Sequence, residues 1–339
     1  MEMITALSST ETALSSTETA LSWQWQLKHA IRDVASLAEA LGLQLPEVES
    51  NFPLLVPQPF LARMEPGRLD DPLLLQVLPR PEENLAVPGF LDDPLCEQAT
   101  TTPGLLQKYK GRVLVVLTGA CAINCRYCFR RHFPYHEHQP DSRHWQMILE
   151  QVKRDESIRE IILSGGDPLV LKDRHLASVL DSINRIEHVD SIRFHTRLPV
   201  VIPQRISDDL LNSLHASDKN IVFVLHINHE AEIDGEVIQA MGRLRSAGAT
   251  LLNQSVLLKG VNDSVTTLSS LSRRLFEAGI LPYYLHLLDP VNGAAHFDTE
   301  AETGIGIIEQ LTRELPGYLV PKLVREVPGA LAKQSVHRF

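Results

Sequence analysis

From Arg112 onward the chain alternates between two hydrophobic patterns. Short apolar, β-branched runs occur at Val113–Leu117, Glu160–Leu163, Ser191–His195, Ile221–Ile227, Thr250–Leu258 and Tyr283–Leu288. After the first gap their starts lie about 30 residues apart. The intervals carry apolar positions at three- and four-residue spacing, as in Arg174–Ile186, Gly235–Ala247 and Val265–Ala278, which predicts helices. A strand with its crossover helix needs about 30 residues. The pattern therefore predicts parallel strands ringed by helices, an α/β fold. Six units fall short of a closed eight-stranded barrel, so an open, partial (β/α)6 barrel is expected. In such a fold the chemistry sits at the C-terminal ends of the strands.

Upstream the pattern differs. Ser22 can cap a helix, and Trp23, Leu27, Ile31, Val34, Leu37 and Leu41 form one apolar stripe, predicting a helix along it. The stretch from Asn51 to about Thr102 is rich in Pro and acidic residues and reads as extended chain with short helices. At the start, Ala6–Thr12 is repeated as Ala13–Thr19. Such a Ser/Thr-rich duplication reads as a flexible tail. The expected division is a tail at 1–22, a helical and extended region at 23–104, the barrel core at 105–290 and a C-terminal segment at 291–339.

Composition narrows the function classes. A chain of 339 residues can bury a sizeable core. With 32 Lys and Arg against 42 Asp and Glu, the net charge of −10 disfavours nucleic acid as the main partner. No apolar run is long enough to span a membrane. No secretory leader is recognisable at the N-terminus. Four cysteines, three of them crowded together, do not form a disulfide framework, so a cytoplasmic location is expected. Cys96 stands apart and is expected to be an ordinary buried or half-buried thiol.

The crowded cysteines are Cys121, Cys125 and Cys128, directly after the first strand run. Three thiolates on one loop can hold three irons of a four-iron cluster and leave the fourth iron open. The rival is zinc, with His132, His136 or His138 completing a tetrahedral set. After the second run comes Ser164-Gly165-Gly166-Asp167-Pro168. Its glycines allow close backbone approach to a ligand, while Asp167 and Pro168 suit the start of a helix. Arg130 and Arg131 follow the last cysteine and can bind an anion. Lys333 follows a Pro-Gly turn; by itself it reads as a solvent-exposed lysine, and its functional reading is a Schiff-base lysine for pyridoxal phosphate. Asp289 and Glu326 can face a cationic substrate. His226, Asn228, His229, Asn253 and Gln254 are polar groups in apolar surroundings, for which a satisfied core hydrogen bond is the default.

Together these residues resemble a known family. The Cys-x3-Cys-x2-Cys loop looks like the signature of radical S-adenosylmethionine enzymes. More narrowly, the chain resembles the lysine 2,3-aminomutases. The likeness lies in Tyr127-Cys128-Phe129-Arg130-Arg131, Leu163–Leu169, Thr196–Val201, Asn253–Asp263 and the Pro-Gly turn before Lys333. It implies that Cys121, Cys125 and Cys128 hold a 4Fe-4S cluster. It places Gly165, Gly166, Asp167, His226 and Gln254 at S-adenosylmethionine. Lys333 falls on the lysine that binds pyridoxal 5′-phosphate, Arg130 on the residue that binds its phosphate, and Asp289 on one of two carboxylates that grip the substrate ammonium. The second carboxylate is Asp in the family and Glu326 here, one methylene longer. The chain ends six residues after Lys333. This short form resembles the bacterial enzymes that supply β-lysine for modification of translation elongation factor P.

The resemblance implies a radical isomerase that moves the amino group of L-lysine from C2 to C3. That step breaks an unactivated C–H bond, which no side-chain base can do. A 5′-deoxyadenosyl radical from S-adenosylmethionine takes the hydrogen, and pyridoxal phosphate carries the migrating amine. The expected partners are L-lysine, a flavodoxin- or ferredoxin-type electron donor and, functionally, the enzyme that lysylates elongation factor P. Two alternatives stay open: an aminomutase for another amino acid such as glutamate, and a zinc-stabilised binding protein without catalysis.

Overall fold

The computed structural model describes residues 22–98, 102–138 and 141–338. The duplicated segment at Ala6–Thr19 lies outside the described residues. The first helices are α1 (Trp23–Lys28) and α2 (Val34–Leu41). Ser22 caps α1, accepting from the backbone N–H of Trp25. The apolar stripe is thus split over two helices instead of one. Asp33 starts α2 by accepting from Ser36 N–H at 2.7 Å, and between the helices Ile31 leaves the helical path to pair antiparallel with Val56. A good cap and a β-bridge outweigh the helical periodicity. The following segment is extended, with short helical turns at Gln58–Leu61, Pro72–Leu75 and Pro81–Asn84.

The core is one sheet in sequential order: β1 (Leu105–Leu106), β2 (Arg112–Thr118), β3 (Glu160–Gly165), β4 (Ser191–Thr196), β5 (Asn220–His226), β6 (Thr250–Val256), β7 (Leu281–His286), β8 (Lys322–Arg325) and β9 (Gln334–Ser335). All neighbours from β2 to β8 are parallel, and β1 and β9 close the ends antiparallel. The helices between are α3 (Ser142–Arg154), α4 (Asp173–Asn184), α5 (Asp208–His215), α6 (Gly235–Ser246), α7 (Val265–Glu277) and α8 (Ala301–Glu314). The predicted open α/β barrel is present. It gains one parallel strand, β8, whose four residues Lys-Leu-Val-Arg are too few and too charged to register as an apolar run.

Alternation along the strands sorts two faces. Val113, Val115, Ile161, Leu163, Ile192, Phe194, Phe223, Leu225, Leu251 and Leu285 point at the helices and belong to the main core. The opposite face looks into the barrel and turns polar along the chain: Arg193 and His195 on β4, His226 on β5, Gln254 on β6, Tyr284 and His286 on β7. These residues line an internal cavity of about 580 Å³.

The lead-in before the barrel braces the cysteine loop. Arg126, with no exposed surface, forms an ion pair with buried Glu83 and donates to the Phe52 carbonyl at 2.7 Å and to Ser50 Oγ at 2.7 Å. Its backbone N–H donates to the Gln76 carbonyl at 2.9 Å. Removing one partner leaves a buried charge uncompensated, so Arg126→Ala is expected to cost about 3 kcal/mol. Chemical denaturation measures it; a loss no larger than that of an exposed pair, about 1 kcal/mol or less, would contradict this bracing role.

Candidate active site

Each parallel strand ends at the cavity and delivers something to it. After β2 comes the loop with Cys121, Cys125 and Cys128, all three lining the cavity. Burial raises the Cys121 thiol well above its ordinary range and pushes Cys128 up to about 11. Such thiols need cationic ligands to ionise them. Among the described residues, no three or more His, Cys, Asp or Glu side chains converge to hold a single metal ion. His132 instead contacts the Asn292 carbonyl at 3.1 Å, and His136 projects into solvent beside Glu137. The side chain of His138 lies outside the described residues. Thiolates that each bind a different iron of one cluster need no such convergence, so this donor set fits a cluster, and neither His132 nor His136 completes a tetrahedral zinc set.

After β3 comes the glycine turn. Gly165 has φ +120°, and a Cβ there would stand 2.4 Å from the Thr118 carbonyl oxygen. A Cβ on Gly166 would stand 2.4 Å from the Ala120 carbonyl oxygen. Only glycine lets the turn lie against the start of the cysteine loop, where Gly166 N–H donates to Thr118 at 2.7 Å and Asp167 N–H to Ala120 at 2.9 Å. Asp167 caps the short turn Pro168–Val170, as its sequence suggests. Its buried carboxylate also accepts from Thr196 Oγ1 at 2.7 Å and from the backbone N–H groups of Arg197 and Leu198 at 2.8 and 2.9 Å. It thus ties the ends of β3 and β4 together.

His226 and Gln254, side by side on β5 and β6, are hydrogen-bonded at 2.8 Å. Burial drops the His226 pKa to about 3, so its ring is neutral. His195 and His286 are also held neutral by burial, and the Nε2 of each is buried without a partner. Neutral histidines with spare nitrogens suit a polar, uncharged ligand surface. Asn253 takes the bland role expected of it, bridging Ile227 N–H and the Ile227 carbonyl at 3.0 and 3.1 Å.

At the far side, β8 and β9 form a hairpin in which Val324 faces Ser335 and Arg325 faces Gln334. The next pair in that register is Glu326 opposite Lys333, and their side chains form an ion pair. Tyr109 Oη donates to Glu326 at 2.6 Å, and Lys108 lies 3.5 Å from it. Burial alone would raise the Glu326 pKa, but Lys333, Tyr109 and Lys108 hold it down at about 2. Asp289, just beyond β7, goes the other way: burial and then the Glu326 charge push it up to about 7. Lys108 continues the charge chain to Glu97 at 2.8 Å, and Glu97 grips Arg130 from Nε at 2.6 Å. Arg130 also donates to Ser164 Oγ at 3.2 Å. Arg131 is spent on Glu83 and the carbonyls of Arg126 and Gly293. Arg112 lines the cavity near Tyr109, and among the described residues no carboxylate pairs with it. Cys96 is not buried as expected; it is exposed, in a left-handed turn at φ 52°.

Glu97, Lys108, Tyr109, Arg112, His195 and His286 are cavity residues that sequence reasoning missed. The first three sit on irregular chain, where lone polar residues carry no pattern. The histidines sit at inward positions of strands, which alternation could have flagged.

Comparison with known proteins fits this geometry. Residues 115–268 match the model of the Radical SAM superfamily. The chain is 46% identical to the L-lysine 2,3-aminomutase of Escherichia coli (strain K12), over 89% of this chain and 90% of that protein. It is 47% identical to the L-lysine 2,3-aminomutase of Haemophilus influenzae, over 89% and 91%. The chain belongs to the lysine 2,3-aminomutase family. Against the L-lysine 2,3-aminomutase of Clostridium subterminale it is 34% identical, over 88% of this chain and 74% of that one. Membership brings a 4Fe-4S cluster, S-adenosylmethionine and pyridoxal phosphate. The residues fit all three: cysteines outside any disulfide, an uncharged polar wall with unpartnered nitrogens, and a lysine and an unpaired arginine on the same cavity. The expected family fold and cofactors are therefore confirmed.

Proposed function

We propose that this chain converts L-lysine to β-lysine by 2,3-amino migration. The observation that carries the reading is the pair Asp289 and Glu326 on the cavity that also holds Lys333 and the three cysteines. Two carboxylates on a dry wall favour a substrate side chain ending in ammonium. They repel an anionic side chain such as that of glutamate by several kcal/mol when desolvated.

The bound groups supply a radical hydrogen abstraction and an electron sink for the migrating nitrogen. The protein supplies alignment and exclusion of water. Cys121, Cys125 and Cys128 would hold the cluster. Gly165, Gly166, Asp167, His226 and Gln254 would frame S-adenosylmethionine: the glycine turn by its backbone, Asp167 by fixing that turn, and the His226–Gln254 pair by its neutral edge. Lys333 would anchor pyridoxal phosphate. Arg130 would bind its phosphate while Glu97 keeps the guanidinium in place, and Arg112 offers a second cation. Glu326, the ion-pair partner of Lys333, would offer its carboxylate to the substrate ammonium beside Asp289.

We further propose that the β-lysine made here feeds the modification of elongation factor P. A flavodoxin- or ferredoxin-type donor would supply electrons in the cytoplasm. Among the described residues no helix is long and apolar enough to cross a membrane. An anaerobic assay of reconstituted enzyme on a panel of amino acids, with chiral product analysis, tests the proposal. Lysine is expected to be the preferred substrate; a higher rate on glutamate would overturn this reading.

A further inference from the structure

The segment Thr196–Val201 carries family likeness without an assigned role, and its Arg197 touches the cysteine loop. Arg197 is 4% exposed. Its Nη1 donates to Cys125 Sγ at 2.8 Å and to Tyr127 Oη at 2.7 Å. Its Nη2 donates to Gln76 Oε1 at 2.7 Å and to Glu232 Oε2 at 2.8 Å. The guanidinium lies over the rings of Phe60 and Tyr127, with centroids 5.3 and 5.8 Å away. Its backbone N–H is fixed by Asp167. Glu232 is itself fully buried and is held by the N–H groups of Asn228 and His229 at 2.9 and 3.1 Å.

A buried cation bonded to one cysteine of the triad has an electrostatic consequence. Adding an electron to a cluster makes it more negative. A charge-assisted hydrogen bond to a ligand sulfur stabilises the reduced form over the oxidised one. In a dry site that charge is weakly screened. Glu232 opposes it from the far side of the same guanidinium.

We propose that Arg197, balanced by Glu232, sets the reduction potential of the cluster by placing a fixed positive charge against Cys125. This rests on the reading of the three cysteines as cluster ligands. Arg197 acts through the thiolate, so it is a positioning residue, not a catalytic one. Its effect is on the ease with which the cluster accepts one electron from an external reductant.

The test is a dithionite titration of the reconstituted full chain with redox mediators, followed by electron paramagnetic resonance of the reduced cluster. Arg197→Met is expected to lower the reduction equilibrium constant at least tenfold, a shift of about 59 mV to more negative potential for a one-electron couple. Arg197→Lys, which keeps the charge, is expected to recover most of the shift. Glu232→Gln is expected to move the potential upward. An Arg197→Met potential equal to that of the parent overturns the proposal. If neither Arg197 variant loads a cluster, Glu232→Gln decides: a higher potential supports the proposal, and an unchanged or lower one overturns it. Failure of all three variants to load, beside a parent that does, makes the network purely structural and also overturns it. A parent that takes up no iron and sulfide would sink the cluster reading itself.

Discussion

Replacing Lys333 by Ala is expected to abolish turnover of lysine, by at least about 10³-fold, or about 4 kcal/mol of transition-state stabilisation. The reason is the hairpin register, which places Lys333 on the cavity opposite Glu326. Among the described residues the other lysine on the cavity wall, Lys108, is bound to Glu97 at 2.8 Å. The variant should also lose the covalent cofactor that borohydride fixes in the parent, while still loading its cluster. Those readouts separate a lost anchor from a lost fold. Robust turnover by Lys333→Ala without added amine would contradict the assignment.

The second large effect concerns the substrate ammonium. Asp289→Asn is expected to lower kcat/KM for lysine by about 2–5 kcal/mol, the cost of deleting one partner of a buried charge pair. Glu326→Gln should act similarly and also free Lys333 from its ion pair. The pH dependence gives the sign. Burial and the Glu326 charge lift Asp289 to about 7, so below that pH it is protonated and grips an ammonium poorly. Lysine binding in the parent should strengthen as pH rises through about 7, and Asp289→Asn should flatten that rise. A parent KM unchanged across this range would refute the role of Asp289.

The same shifts have opposite signs for stability. Asp289 keeps its proton in the native state where the unfolded chain has lost it. Its contribution therefore declines as pH climbs from the ordinary 3.8 to about 7. Glu326, held down at about 2, stabilises above its ordinary 4.5, and that stabilisation is lost as pH falls through about 2.

Much of this was legible in the chain itself. The six apolar runs and the helices between them correspond to β2–β7 and their connections, because burial between barrel and helices leaves strong periodic patterns. The cysteine spacing and the glycine turn are local motifs, so their place at strand ends followed from the strand pattern alone. β8 escaped notice because a four-residue strand buries too little to leave a pattern. The split of α1 from α2 depended on a bridge to Val56, a residue outside the helix.

The sequence alone marked the cysteine loop and the open barrel, each written in neighbouring residues or in a repeating period, and the family resemblance marked Lys333. The tertiary structure decided how distant charges combine. Only the hairpin sets Glu326 against Lys333, and only the meeting of the lead-in with β2 links Lys108 and Glu97 to Arg130. Likewise, only the approach of β4 to the cysteine loop brings Arg197 to Cys125 across 72 residues of chain. Such contacts join residues far apart in sequence, and no period or spacing encodes them. They form because buried charges must find partners when the barrel closes water out.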